Sequence, residues 1–185
     1  MLVIGITGTL GAGKVTIVEY LKEKKNFRHY SVRGFLIKEI EHRGLPVNRD
    51  SMTKIANLLR SQHHPAFIVE QLYREALSAG ENAVIESIRT PGEVEFLRKQ
   101  GHFYLFAVDA DPKIRYERIK KRGSETDHID FETFLSNEAR EMNTTDPNKQ
   151  NLSRCIEMAD FRFENNGNRE ALYGEVDRVL HQIMS

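Results

Sequence analysis

The sequence of 185 residues contains no tryptophan and a single cysteine, Cys155. One cysteine cannot form an internal disulfide or build a metal site by itself, so disulfide scaffolds and zinc sites are excluded and a reducing compartment is expected. No apolar run approaches the roughly 20 residues of a membrane span. Residues 1–7 are too short and lack the basic start of a signal peptide. We therefore expect cytoplasmic residence and no membrane partner.

Neither sign of charge is in excess, because 27 lysines and arginines balance 27 aspartates and glutamates. This balance gives no indication of a nucleic-acid partner, so anion-binding sites must be sought locally. A content of 39% hydrophobic and 29% charged residues is typical of a globular protein. The length and the absence of repeats or linkers predict one domain, residues 1–185, and leave protein partners undefined.

Predicted strands and helices alternate along the chain. Short apolar runs predict strands at residues 2–7, 82–88, 102–109 and 159–165, with at most one more near 27–31. Helical spacing predicts helices near residues 17–25, 32–43, 50–62, 65–79, 112–122, 131–142 and 169–184. This alternation predicts an α/β domain with a parallel sheet. Residues 32–62 would then form a helical insertion that stands over the sheet.

A phosphate-binding motif follows the first predicted strand. Residues 8–14 match G-x-x-x-x-G-K, with Gly8, Gly13 and Lys14 at the fixed positions, and a predicted helix comes next, as the motif requires. Glycines let backbone N–H groups converge on phosphates, and the lysine adds a charge. The alternative is an ordinary glycine-rich turn before a helix. A dinucleotide-binding G-x-G-x-x-G starting at Gly11 is excluded, because position 16 is threonine.

The residues after the lysine carry a family resemblance. Gly11-Ala12-Gly13-Lys14 followed by Thr16 resembles the start of nucleoside monophosphate kinases of the adenylate-kinase type. The resemblance implies a three-layer P-loop kinase fold, a parallel sheet flanked by helices, and binding of ATP and Mg²⁺ through residues 8 and 11–16. That family has glycine where this chain has Val15. A branched side chain beside the phosphates predicts slower phosphate transfer.

Other segments resemble the acceptor half of these kinases. Arg33, in the segment 30–36, looks like the arginine that grips the acceptor's phosphate, and residues 32–62 would be the acceptor-binding insertion, with Arg60 and Arg49 as weaker candidates. Glu86 and Arg89, after the third predicted strand, resemble the family's acidic residue and the arginine beyond it. The resemblance implies that Glu86 holds Mg²⁺ through water and that Arg89 binds acceptor phosphate. The alternative for each is a solvated surface side chain.

Three arginines of the helix near residues 112–122 share one face, at positions 115, 118 and 122. The resemblance implies that Arg118 and Arg122 contact ATP around a short lid at about residues 118–130, and that Arg140 is a further phosphate contact. Asp109 is a weaker Mg²⁺ candidate, since it also suits a capping role. Ala159-Asp160 together with Asn165-Asn166-Gly167 resembles the strand and loop that cradle the ATP base, with Asn166 and Gly167 as the candidate contacts.

The resemblance implies a phosphotransferase that uses ATP and Mg²⁺ and acts on a nucleoside or deoxynucleoside monophosphate. Lys14, Arg89, Arg118 and Arg122 would carry the transfer. The chain is also similar to dephospho-coenzyme A kinases and to the kinase-like domain found beside deoxycytidylate deaminases, although it contains no deaminase zinc signature. The alternatives are a dephospho-coenzyme A kinase and an ATP-binding module that Val15 has made catalytically weak.

Overall fold

The computed structural model describes residues 1–123 and 128–185. Within them, five strands form one parallel sheet in the order β2-β3-β1-β4-β5. The strands are β1 (Val3–Gly8), β2 (Arg28–Ser31), β3 (Ala83–Glu86), β4 (Phe103–Asp109) and β5 (Phe161–Glu164). The sequence predicts all five, and β2 is the short strand expected near residues 27–31.

Helices connect the strands on both faces of the sheet. They are α1 (Lys14–Lys25), α2 (Val32–His42), α3 (Arg49–Gln62), α4 (Phe67–Ala79), α5 (Pro91–Lys99), α6 (Pro112–Arg122), α7 (Phe131–Met142), α8 (Leu152–Met158) and α9 (Arg169–Met184). Periodicity does not predict α5 or α8, which have nine and seven residues. Such short helices show too few turns for an apolar face to repeat.

Two hydrophobic cores, one on each face of the sheet, give the predicted three-layer fold. On one face, α1 and α9 pack through side chains such as Ile17, Leu21 and Val176. On the other face lie the helices of the insertion together with α4, α5 and α8. The central strand β1 is buried along its whole length. Within the described chain, no helix has the length and apolar content that crossing a bilayer requires.

The carboxyl ends of β1, β3 and β4 lie side by side at one edge of the sheet. Ile6 of β1 pairs with Glu86 of β3, and Gly8 of β1 pairs with Val108 of β4. Ligands of open parallel sheets bind beyond these ends. The fold therefore gathers the predicted phosphate loop, Glu86 and Asp109 at one edge.

Candidate functional site

The loop between β1 and α1 has a backbone conformation that requires glycine. Gly13 is the residue before α1 and has φ of 107°, and a Cβ there would lie 2.3 Å from Asn165 Nδ2. Gly8 has φ of 143°, and its Cβ would lie 2.0 Å from Val108 O. Other side chains disfavour both the conformation and the close approach. The loop is therefore held against β4 and the end of β5.

Lys14 is folded back onto the loop that precedes it. Its Nζ donates to Gly8 O at 2.9 Å and to Thr9 O at 2.7 Å. Burial of the ammonium, with a smaller contribution from the charge of Arg89, lowers its pKa to about 7. A cation whose charge is disfavoured by burial is one that an anion nearby would stabilise. Phosphate groups in the loop would be such an anion.

Asn165, the first residue of the segment that resembles the ATP-base loop, connects the far end of the chain to the phosphate loop. Its Nδ2 donates to Ala12 O at 2.8 Å, and its own carbonyl accepts from Arg118 Nη2 at 2.6 Å. Arg118 Nη1 also lies 3.3 Å from Gly11 O. The predicted neighbour Asn166 instead accepts from the backbone N–H of Asp111 at 2.8 Å. Arg118 therefore holds the loop's carbonyls.

The remaining predicted ATP and metal residues differ in their surroundings. Asp109 Oδ1 accepts from Thr9 Oγ1 at 2.6 Å and from the N–H of Ala110 at 2.8 Å, so much of its capacity is used locally. Thr16 is half-buried on α1, and Gly167 is exposed. Among the described residues, no group of three or more histidines, cysteines, aspartates or glutamates could hold a metal ion.

The row of arginines on α6 divides into different roles. Arg115 is 2% exposed, donates to Ala110 O and pairs with Glu138 of α7 through both ends of the carboxylate. Its Nη1 also donates to Leu10 O at 3.2 Å, so Arg115 connects α7 to the phosphate loop. Arg122 lies in the wall of the cleft described below. Of the predicted lid, residues 124–127 lie outside the described part of the chain.

Glu86, at the end of β3, is held in its ionised form. Burial alone would raise its pKa, but His29 Nε2 at 3.3 Å, a hydrogen bond from Ser31 Oγ at 3.0 Å and the charge of Lys14 together lower it. The charge of Glu86 in turn opposes the effect of burial on Lys14 and makes the lowering of the Lys14 pKa smaller. Glu86 and the phosphate loop therefore form one electrostatic unit, as the shared sheet edge predicts.

A cleft of about 600 Å³ opens beside the loop, between α2, α3 and the segment after β3. Its lining includes five arginines, which are Arg33, Arg49, Arg60, Arg89 and Arg122. Its apolar lining residues are Leu10, Val15, Val32, Leu36, Val47, Met52 and Ala56. Val15 is 57% exposed and faces this cleft. The structure therefore brings three of the candidate acceptor residues, Arg33, Arg60 and Arg89, into one cleft.

A single carboxylate, that of Glu141, lies among the described lining residues of this arginine-rich cleft. Its Oε1 is 2.6 Å from Arg49 Nη2, and its Oε2 is 3.3 Å from Arg89 Nη1. Arg89 Nη1 also donates to Gln150 Oε1 at 2.8 Å. The sequence indicated Arg140 instead, but Arg140 is exposed, donates to Asn137 and is not part of the lining. On α7 it is Glu141, the residue after Arg140, that points into the cleft.

Ser87 has an unusual backbone conformation at the edge of the cleft. Its φ is 65°, which is uncommon for a residue other than glycine. Strained residues of this kind often lie at functional sites. Ser87 lines the cleft between Glu86 and Arg89, so the turn that presents both candidates is the strained one.

A parallel sheet of this order, with a glycine-rich phosphate loop after its central strand, defines a protein of the P-loop kinase fold. Two solved structures share it. The protein TT1252 from Thermus thermophilus is 20% identical, with a TM-score of 0.63 over 98% of this chain and 97% of that one. Shikimate kinase from Bacteroides thetaiotaomicron is 14% identical, with a TM-score of 0.59 over 100% and 99%.

Sequence comparison places the chain more closely. Residues 4–146 match a family described as AAA domain. A UPF0200 protein of Methanocaldococcus jannaschii is 32% identical over 100% of this chain and 92% of its own length. The chain therefore belongs to the AAA-domain family and to the family of UPF0200 proteins.

Proposed function

We propose that the protein transfers the γ-phosphoryl group of ATP to a nucleoside or deoxynucleoside monophosphate. The observation that carries the proposal is the cleft, in which five arginines and one glutamate surround an apolar interior next to the phosphate loop. This excess of guanidinium groups favours an acceptor that carries phosphate. The apolar walls suit a flat ring attached to it. An uncharged sugar would make no use of this positive charge.

The phosphate loop suits ATP on physical grounds. Its glycines have conformations that leave no room for Cβ atoms, and the adjacent helix α1 directs its amino terminus at the same place. Lys14 would leave Gly8 O and Thr9 O and donate to the β and γ phosphates. Arg118 would hold the loop and lie beside the nucleotide. Arg122 is the proposed further contact with the transferring phosphate.

In the transfer, an oxygen of the acceptor's phosphate attacks the γ phosphorus, and the bond to the β-bridging oxygen breaks to release ADP. An ionised phosphate needs no general base, so the protein's contribution is positioning and charge stabilisation. Mg²⁺ would neutralise charge on the β and γ oxygens. Because the described residues offer no ligand cluster, ATP oxygens would supply most of its ligands, with Glu86 and Thr16 holding its water shell.

A coupled assay of ADP release tests the proposal. The panel contains ribo- and deoxyribonucleoside monophosphates, dephospho-coenzyme A, shikimate and gluconate, each with ATP and Mg²⁺. We expect release with one or a few monophosphates. Release only with dephospho-coenzyme A would support that alternative. Release with shikimate or gluconate, neither of which carries a phosphate, would contradict the acceptor assignment. ATP binding without release by any acceptor would indicate a weak nucleotide-binding module.

The side chain of Val15 should make phosphoryl transfer by the protein slow. Its side chain is 57% exposed in the cleft wall beside the loop, where two methyl groups could displace a substrate by around 1 Å and cost about 100-fold in rate. We expect Val15→Gly to raise turnover at least roughly tenfold, or about 1.4 kcal/mol of barrier. Glycine near a helix start should lower stability by about 1 kcal/mol or less.

The measurement is the rate at saturating ATP with the acceptor found in the panel, and Val15→Ala should lie between the two. Equal or lower turnover of Val15→Gly, with an unchanged fold by circular dichroism, would mean that the site is built around valine.

The lowered pKa of Lys14, about 7, predicts that ATP affinity depends on pH. Phosphates beside the ammonium favour its charged form, so ATP raises this pKa and its binding takes up a proton above pH 7. The affinity is then constant below pH 7 and falls by up to about tenfold per pH unit above it, until the pKa of the complex is reached.

Calorimetry at pH 8 in buffers of different ionisation enthalpy measures the uptake, which we expect to be about one proton per ATP. Lys14→Arg is the control, because arginine stays charged throughout. If the variant takes up the same number of protons, the titrating group is not Lys14.

A further inference from the structure

Arg60 is a buried guanidinium in the cleft wall whose hydrogen-bonding capacity is only partly used. It is 2% exposed, and its Nη2 lies 2.9 Å from Glu93 Oε1, which is itself in a buried side chain. Over residues 1–123 and 128–185, Arg60 Nε and Nη1 have no hydrogen-bond partner. Buried donors without partners are rare in folded proteins, because each one costs free energy. A ligand in the cleft could supply the missing acceptors.

The surroundings of Arg60 in the cleft are apolar. Met52, Ala56 and Arg60 are four residues apart on α3, so they share one face of the helix, and all three line the cleft. Val32 and Leu36 of α2 line it as well, and both are buried. An apolar slot with a few directed donors is the kind of site that binds a flat heterocyclic ring and fixes its orientation.

The charge of Arg60 is balanced inside the protein. Glu93 faces it, and the other oxygen of that carboxylate accepts from the backbone N–H of Arg89 at 3.1 Å. An anion placed at Arg60 would also lie beside the Glu93 carboxylate, in a region that water reaches poorly. A neutral acceptor atom, such as a carbonyl oxygen or a ring nitrogen, avoids this repulsion. The arginines at positions 33, 49 and 89 remain for the phosphate.

We propose that Arg60 is a specificity-determining residue that donates hydrogen bonds to the edge of the acceptor's base. The inference rests on the proposed function, since only an acceptor with a base presents such an edge. Bases with a carbonyl oxygen next to a ring nitrogen, as in guanine and cytosine, can use these donors, whereas the amino group of adenine opposes them. Arg60 therefore selects among nucleotides, and the other arginines bind the phosphate common to all.

The test compares nucleotides with ribose 5-phosphate, which lacks a base. Isothermal calorimetry measures the affinities of AMP, GMP, CMP, UMP and ribose 5-phosphate for the wild-type chain and two variants. Arg60→Met alone would leave Glu93 buried and unpaired, so it is combined with Glu93→Gln, which keeps an oxygen for the Arg89 N–H. Arg60→Lys is the second variant, because it keeps the charge pair and removes the guanidinium.

We expect the wild-type chain to bind its best monophosphate much more tightly than ribose 5-phosphate. Both variants should lower this ratio by about 10- to 100-fold, with the affinity for ribose 5-phosphate changed less than about threefold. The matched control is Arg154→Met with Glu157→Gln, an exposed pair on α8, which should leave the ratio unchanged. Melting curves establish that each variant is folded.

Three results would overturn the inference. An unchanged ratio in folded variants would mean that Arg60 does not read the base. Equal losses for the nucleotide and ribose 5-phosphate would make Arg60 a phosphate ligand. A wild-type chain that binds none of the five probes would contradict the proposed function and this inference with it, whereas the first two results leave the proposed function intact.

Discussion

Lys14→Met is expected to weaken ATP binding about 100-fold, which corresponds to the loss of hydrogen bonds to a charged partner. In the free protein, the Lys14 ammonium donates to Gly8 O and Thr9 O and lies in a buried place that disfavours its charge. Bound phosphates would offset the cost of burying the ammonium and would form charge-assisted hydrogen bonds with it. Backbone N–H groups alone cannot replace it. Calorimetric titration with ATP and Mg²⁺ measures the loss.

The control for this prediction is Lys22→Met, which removes an exposed charge from the same helix. It should bind ATP with wild-type affinity. The Lys14→Met chain should also unfold at or slightly above the wild-type temperature, since it removes a buried ammonium from the free protein. ATP affinity that survives the loss of Lys14 in a folded chain would refute the assignment of the loop to phosphate binding.

Arg89→Met is expected to weaken acceptor binding about 100-fold and ATP binding less than about threefold, since guanidinium-to-phosphate bonds are charge-assisted and two-pronged. The Arg89 side chain is 26% exposed, and its Nη1 faces Glu141 and Gln150, so its loss should perturb the core little. The measurement is the KM for the acceptor at saturating ATP, together with ATP affinity by calorimetry.

A variant with the opposite effect strengthens this test. Glu141 competes with any phosphate for Arg49 and Arg89, so Glu141→Gln should lower the acceptor's KM. Arg43→Met removes a guanidinium that pairs with Glu39 at the end of α2 and should change neither constant. If Arg89→Met weakens ATP instead of the acceptor, Arg89 belongs to the other half of the site.

The sequence predicts the fold and the loop well because both depend on local signals. The motif at residues 8–14 needs only a strand before it and a helix after it, and the structure has both. Side-chain partners are harder, because periodicity does not say which face of a helix meets which neighbour. Arg115 and Arg118 look equivalent on α6, yet Arg115 pairs with Glu138 and Arg118 donates to carbonyls of the phosphate loop.

Neighbouring residues of a predicted segment differ for the same reason. Asn165 bonds to the phosphate loop and Asn166 does not, because the alternation of β5 continues past its last residue, Glu164, and turns Asn165 inward. On α7, Glu141 reaches the arginines whereas Arg140 is exposed. A family resemblance identifies a segment, but it does not say which side chains of that segment point into the site. Arg60 was predicted with the acceptor residues, but its buried pairing with Glu93 involves two helices that the sequence does not align.

The bond from Asn165 to Ala12 joins residues that are 153 positions apart. The loop at the start of the chain thus depends on a residue just after β5, which is synthesised near the end. Long-range pairings of this kind form late, because the chain between them must first be ordered. A ribosome-bound chain that has emerged only as far as α8 would carry the whole motif at residues 8–14 without the partner that shapes it. The ATP binding proposed above would therefore need Asn165 in place, and we expect it of the completed protein rather than of a growing intermediate.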